Sequence, residues 1–92
     1  MNRSYAVNIL SSAEKDIGGI AVVARTHIFS AIVALAENPR PVGFKKMEGY
    51  RNLYRIRVGQ YRIVYEIDDK ASLVIVAAVA ARGKIYHLLK RR

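Results

Sequence analysis

Three arginines share one side of a predicted β-hairpin, and their side chains suit phosphate binding. Residues 54–67 read YRIRVGQYRIVYEI, in which apolar and polar residues alternate. Because successive side chains of a strand point to opposite faces, Arg55, Arg57 and Arg62 lie on one face and most of the apolar residues on the other. Each guanidinium can offer a phosphate a forked pair of hydrogen bonds. The apolar face is predicted to join the core, and the arginine face to bind a polyanion.

The register of this hairpin depends on its turn. A turn at Gly59-Gln60 places Arg57 opposite Arg62, whereas a turn at Val58-Gly59 places Arg55 there. Like charges directly opposite on a sheet are unfavourable by up to about 1 kcal/mol, and a polyanion on this face would turn the repulsion into attraction. The alternative is that the long side chains splay apart in water and only cover apolar surface.

The whole chain is basic. It contains 16 Lys or Arg and 7 Asp or Glu, which gives a formal net charge of +9. Such an excess attracts polyanions, so nucleic acid or a strongly acidic protein is the expected partner. The hydrophobic fraction of 52% excludes a disordered basic tail. A solvated basic surface without a partner is the competing interpretation.

The length and composition favour one small domain over residues 1–92. Without cysteine there are no disulfides and no thiolate ligands, which suits a reducing cytoplasm. The first residues hold no long apolar core and no small-residue cleavage site, and the apolar run from Leu73 to Ala81 is too short to span a bilayer. We therefore expect a cytoplasmic protein with no membrane partner.

The first half of the chain predicts one strand and two helices. Residues 4–9 alternate as a half-buried strand. A short helix follows and is interrupted at Gly18-Gly19. From about Ala21 to Glu37 apolar residues recur at helical spacing, and the segment 38–41, Asn-Pro-Arg-Pro, ends that helix.

The second half predicts a loop and a strand-rich region. Residues 38–50 are rich in Pro, Gly and Lys and are expected to form a loop. The three predicted strands are Tyr54 to Val58, Tyr61 to Ile67, and Leu73 to Ala81. The order β-α-α-β-β-β predicts an α+β domain, with an antiparallel-rich sheet and both helices packed on one of its faces.

Other ionisable residues carry weaker signals. His27 falls inside the apolar pattern of the second helix and is expected to be structural, whereas His87 lies near the end of the chain. Two separated histidines without cysteine or paired carboxylates make a poor metal site. Asp68-Asp69 suits a turn. We predict neither a metal nor a cofactor.

Two segments resemble a known protein family. The run ALAENPRPVGFKKMEGYRNLYRIRVGQYRIVYEIDD, followed by ARGKIY, is similar to the RelE/ParE toxin superfamily of bacterial and archaeal toxin-antitoxin systems. The resemblance covers nearly the whole chain. It implies a compact sheet with two N-terminal helices and a cognate antitoxin protein that neutralises the toxin.

The resemblance also implies site residues. RelE-like members cleave mRNA in the ribosomal A site, whereas ParE-like members poison DNA gyrase. The positions of the RelE-like motif correspond here to Arg55, Arg57, Arg62, Arg82 and Tyr86. The expected RNA- or ribosome-binding residues are Lys45, Lys46, Arg51 and Lys84.

The expected reaction is metal-independent cleavage of RNA. The 2′-hydroxyl loses a proton as it attacks the adjacent phosphate, positive groups hold the developing charge, and the departing 5′-oxygen gains a proton. Arginines stay protonated and act as clamps, while Tyr86 is the candidate base because nearby cations favour phenolate. Arg82 would bind the phosphate or assist the leaving oxygen.

Two residues depart from the family pattern. Many relatives carry a histidine where this chain has Ala81, and a second arginine where it has Gly83. The main interpretation is a ribosome-dependent mRNA endonuclease toxin. The alternatives are a ParE-like gyrase inhibitor and a basic RNA-binding module that does not cleave.

Overall fold

A five-stranded sheet organises the described part of the chain, which is residues 4–90 of a computed structural model. The elements are β1 Ala6–Ile9, α1 Ser11–Gly18, α2 Val22–Glu37, β2 Lys45–Lys46, β3 Leu53–Val58, β4 Tyr61–Asp68, β5 Leu73–Ala81 and α3 Ile85–Leu89. The predicted β-α-α-β-β-β order is confirmed. The structure adds β2 inside the segment expected to be a loop, and α3 at the end of the chain.

The strands lie in the order β1-β5-β4-β3-β2. β1 runs parallel to β5, and the remaining pairs are antiparallel. β5 therefore lies between two neighbours, and both of its faces are covered. This position explains why its sequence is apolar throughout instead of alternating.

The main core lies between the sheet and the two N-terminal helices. α1 contributes Ala13 and Ile17, and these pack with apolar residues of β3, β4 and β5. From α2 only Ile28, Ile32 and Leu35 are buried, a stripe with a spacing of four and three residues. The apolar residues on the other side of α2 are exposed, so the helix pattern in the sequence was broader than the buried stripe.

A second apolar cluster covers the opposite face of the sheet. Its buried members are Met47, Leu53, Val64, Ala78, Ala80, Ile85 and Leu89. α3 supplies the last two, so this short helix is attached to the sheet by packing and not by helix propensity alone. The arginine face of the hairpin therefore has an apolar half, which the sequence did not predict.

A bulge interrupts the pairing of β5 with β4. Val64 pairs with Ala78 and Tyr65 pairs with Val76, which leaves Ala77 with no residue opposite it in β4. The pairing of β1 ends at Val76, and beyond that point Asp16 of α1 accepts a hydrogen bond from the Val79 amide at 3.1 Å. The exposed edge of β5 is thus partly satisfied by α1.

Within residues 4–90, no helix combines the length and the apolar character needed to cross a membrane.

Candidate functional site

The structure selects one of the two predicted hairpin registers. Val58 pairs with Tyr61, so the turn residues are Gly59 and Gln60, and Gly59 has a φ of 58°. This is the left-handed conformation that glycine adopts without a steric penalty. Arg57 consequently lies opposite Arg62. The repulsive pairing expected from the sequence is confirmed.

The candidate site is an open cleft of about 310 Å³ on this face of the sheet. Its lining residues are Met47, Arg55, Arg57, Arg62, Arg82, Gly83, Ile85 and Tyr86. All five residues that the RelE-like motif implied are therefore brought together. Three further residues, Met47, Gly83 and Ile85, also line the cleft. Met47 and Ile85 belong to the second apolar cluster.

Arg62 is the most confined charge in the cleft. Its exposure is 8%, and it is the one charged residue among residues 4–90 that is classed with the buried residues. Burial lowers the pKa of its guanidinium, and the neighbouring charges of Arg57, Arg55 and Arg82 lower it further. Within the described range none of these four arginines forms an ion pair with a carboxylate. A desolvated cation surrounded by cations favours a bound anion.

Arg82 reaches the cleft from the end of β5. Its backbone amide donates a hydrogen bond to the carbonyl oxygen of Gln60 at 3.3 Å, which ties the residue to the hairpin turn. Gly83 follows with a φ of 89°, and it redirects the chain from β5 into α3. The glycine that departs from the family pattern therefore occupies a position where a side chain would be strained.

Ala81 does not face the cleft. It pairs with Tyr61, whose side chain packs against the core on the helix side of the sheet. The neighbouring Ala80 pairs with Arg62 and belongs to the cluster on the arginine side. Because side chains alternate along a strand, the absence of a histidine at Ala81 removes no group from the cleft.

Tyr86 stands at the mouth of the cleft. It lies on α3 and its exposure is 50%. Its ring stacks on that of Tyr50, with 6.4 Å between centroids and 30° between planes. The sequence did not single out Tyr50, because it lies in a loop whose conformation is decided by contacts with the sheet and α3.

The four predicted RNA-binding residues are not equivalent. Lys45 pairs with Arg55 and therefore belongs to the arginine face, whereas Lys46 pairs with Tyr54, whose ring packs on the helix side. Arg51 and Lys84 are exposed and do not line the cleft. Of the two lysines of β2, only Lys45 lies on the same face of the sheet as the arginines.

The histidines lie outside the cleft. His27 is exposed and is not a member of the core, although it falls inside the apolar pattern of α2. It lines a larger cleft of about 610 Å³ between α2 and the hairpin turn, on the opposite face of the sheet. Residues 4–90 contain no group of three or more His, Cys, Asp or Glu able to hold a metal ion.

Fold and cleft together define a small basic α+β protein with an arginine-lined cleft on one face of its sheet. Residues 7–86 match the family model of the ParE toxin of type II toxin-antitoxin systems, parDE. The chain belongs to this toxin family, and the resemblance to the RelE/ParE superfamily is confirmed.

Several characterised proteins are similar. Toxin RelE3 of Methanocaldococcus jannaschii is 43% identical over 49 residues, a segment that spans 53% of each chain, or about half the length of that relative. The isolated RelE toxin of E. coli superposes with a TM-score of 0.73 at 26% identity, covering 96% of this chain and 98% of that one. The RelB-RelE antitoxin-toxin complex of Methanococcus jannaschii gives 0.71 at 29% identity, covering 87% and 95%.

Proposed function

We propose that this toxin is an endoribonuclease that cleaves mRNA in the ribosomal A site. The observation that carries the proposal is the convergence of Arg55, Arg57, Arg62 and Arg82 on one cleft without an acidic partner among residues 4–90. The four positive charges of such a cleft repel one another, and a bound anion would offset this repulsion. The phosphate backbone of RNA supplies that anion.

Each residue of the cleft has a separate role in the proposed reaction. The 2′-oxygen forms a bond to phosphorus and the bond to the 5′-oxygen breaks, which leaves a cyclic phosphate and a free 5′-hydroxyl. Tyr86 takes the proton from the 2′-hydroxyl, and Arg57 and Arg62 hold the charge that grows on the phosphate oxygens. Arg82, which follows β5, stabilises the charge on the departing 5′-oxygen, and a water molecule gives that oxygen its proton. Lys45 extends the basic face toward flanking RNA.

A gyrase-directed activity is the second candidate, and it is favoured by the family model that the chain matches, since that model describes the ParE toxin. A gyrase inhibitor acts by binding another protein and needs no phosphate cleft with a phenol at its mouth. The likeness to RelE toxins and the composition of the cleft favour the nuclease.

A cognate antitoxin is the proposed protein partner. Related toxins form RelB-RelE complexes, and a chain with a net charge of +9 complements an acidic partner. The outer face of α2 offers an apolar strip for such a partner. Its members are Val22, Phe29 and Val33, with exposures of 65%, 45% and 67%, and Thr26 and Ser30 lie between them.

The decisive experiment compares two assays with the same purified chain. In the first, ribosomes translating a defined message are incubated with the protein and the ends of the message are mapped. In the second, the supercoiling activity of gyrase is measured in its presence. We expect new ends within the A-site codon and unchanged supercoiling. Inhibited supercoiling without new message ends would replace this proposal with the gyrase alternative.

A further inference from the structure

The loop between β2 and β3 is folded so that Tyr50 faces α3. Met47 is buried at 2% exposure, and its backbone amide donates to the Leu53 carbonyl oxygen at 2.8 Å. Gly49 has a φ of 83°, and the Tyr50 amide donates to the Met47 carbonyl oxygen at 3.4 Å. These contacts form a tight turn that projects Tyr50 onto the second apolar cluster, where its ring is partly buried.

The orientation of the Tyr86 side chain depends on the contacts of its ring. α3 is held to the sheet by Ile85 and Leu89, which are buried in the second apolar cluster. The ring of Tyr86 remains half exposed, and within residues 4–90 its one aromatic contact is with Tyr50. An exposed side chain exchanges rotamers rapidly unless a neighbour selects one of them.

We propose that Tyr50 is a positioning residue that holds the Tyr86 phenol at the mouth of the arginine cleft. The inference rests on the proposed function, because it assigns to Tyr50 a role in presenting the base of that reaction. The stacked geometry, with 6.4 Å between ring centroids, lies in the range in which aromatic pairs attract each other. A base held near its productive geometry avoids the entropic cost of finding it.

The role belongs to the ring of Tyr50 and not to its hydroxyl. Tyr50→Phe keeps the ring and should retain cleavage close to that of the wild type. Tyr50→Leu removes the stacking partner and should lower the cleavage rate at saturating ribosome concentration about 2- to 10-fold, the range expected for one aromatic pair. The concentration of ribosomes giving half the maximal rate should change little, since Tyr50 does not line the cleft.

A double-mutant cycle distinguishes positioning from direct contact with RNA. Tyr86→Phe removes the phenolic proton acceptor, and in that background Tyr50→Leu should cause no further loss. Independent, multiplicative losses from the two substitutions would show that Tyr50 acts on the RNA itself and would overturn the inference.

A readout that needs no cleavage keeps the inference separate from the proposed function. In the ¹³C- and ¹⁵N-labelled chain, the scalar couplings across χ1 of Tyr86 should report one rotamer in the wild type and in Tyr50→Phe, and an average over rotamers in Tyr50→Leu. A single Tyr86 rotamer retained in Tyr50→Leu would refute the positioning role. If the wild type cleaves no message, the proposed function fails, and these couplings still decide how Tyr86 is held. Tyr50→Met replaces Tyr50→Leu should the latter not fold.

Discussion

Arg57 and Arg62 lie directly opposite each other on β3 and β4, and Arg62 is buried. This arrangement is unfavourable for a sheet, because like charges directly opposite each other repel and Arg62 has also lost most of its hydration. An anion between the two side chains would offset this repulsion. The presence of this pair in a toxin of this family therefore connects a local cost in stability to the proposed activity.

The first prediction concerns this cost. Arg62→Met keeps an unbranched apolar side chain in place of the arginine stem and removes the buried charge. We expect the free energy of unfolding to rise by about 0.5–1 kcal/mol, since the repulsion from the neighbouring arginines disappears. We also expect the cleavage rate to fall roughly 100-fold or more, because a preorganised donor to the phosphate is lost. Urea unfolding and message-end mapping give the two values.

Lys70→Met provides the matched control for that prediction. Lys70 is exposed and lies in the turn after β4, outside the cleft. The substitution removes the same charge, so stability and cleavage should both stay near their wild-type values. An equal loss of cleavage in the control would mean that net charge, and not the cleft, controls activity.

The second prediction concerns anion binding without cleavage. A short RNA carrying 2′-deoxyribose at the scissile position should raise the melting temperature of the protein, because a ligand that binds only the folded state stabilises it. The stabilisation should weaken as the concentration of monovalent salt increases. Arg57→Ala should reduce the shift, whereas Lys70→Ala should preserve it. A shift that is independent of salt would contradict binding through phosphates.

The third prediction concerns a buried tyrosine in the main core. The Tyr65 hydroxyl donates to the Pro39 carbonyl oxygen at 2.7 Å, and burial raises the pKa of this phenol to about 12. Tyr65→Phe should lower the free energy of unfolding by about 1 kcal/mol, because it leaves a buried carbonyl oxygen without its donor. Chemical unfolding at neutral pH measures the loss.

The same tyrosine makes stability depend on alkaline pH. The folded protein holds the phenolic proton more tightly than the unfolded chain, whose phenol titrates near 10.0. The contribution is therefore fully present below pH 10 and is lost as the pH rises toward about 12, at about 1.4 kcal/mol per pH unit. In Tyr65→Phe this component should vanish. An unchanged alkaline slope in the variant would assign the effect to other groups.

The fourth prediction concerns the apolar strip of α2. Phe29→Glu and Val33→Glu should weaken binding of the cognate antitoxin, because they place charge in a desolvated contact. Cleavage should be retained, since the strip lies on the opposite side of the sheet from the cleft. Val42→Glu is the control, as this valine is fully exposed in the loop after α2. Isothermal titration with the antitoxin should show a loss only for the α2 variants.

The α2 helix shows which structural features its apolar pattern can predict and which it cannot. Its helical spacing predicted the element and its end at Asn38 correctly. The same pattern could not separate Ile32, which is buried, from Val33, which is exposed, because both are apolar and only packing against the sheet distinguishes them. The same limit applies to His27, which falls inside the apolar pattern but is exposed.

The residues of the cleft were predicted from two different kinds of signal. Alternation along the hairpin alone placed Arg55, Arg57 and Arg62 on one face, because that period is a local property of the strand. Arg82 and Tyr86 were reached through resemblance to a family, since no local period relates the end of β5 and α3 to the hairpin. Met47 and Tyr50 were missed, because a loop residue carries no periodic signal.

By itself the sequence determined the order of the main elements, the two faces of the hairpin and the basic character of one of them. These follow from side-chain alternation, helical spacing and charge, which act over a few residues. Only the tertiary structure decided the turn at Gly59-Gln60, the attachment of α3 to the sheet and the stacking of Tyr50 on Tyr86. The attachment of α3 and the tyrosine stacking depend on contacts between segments distant in the chain, whose energies are set by packing and not by local sequence. The turn is local, but side-chain alternation is compatible with both registers, and only the observed strand pairing distinguishes them.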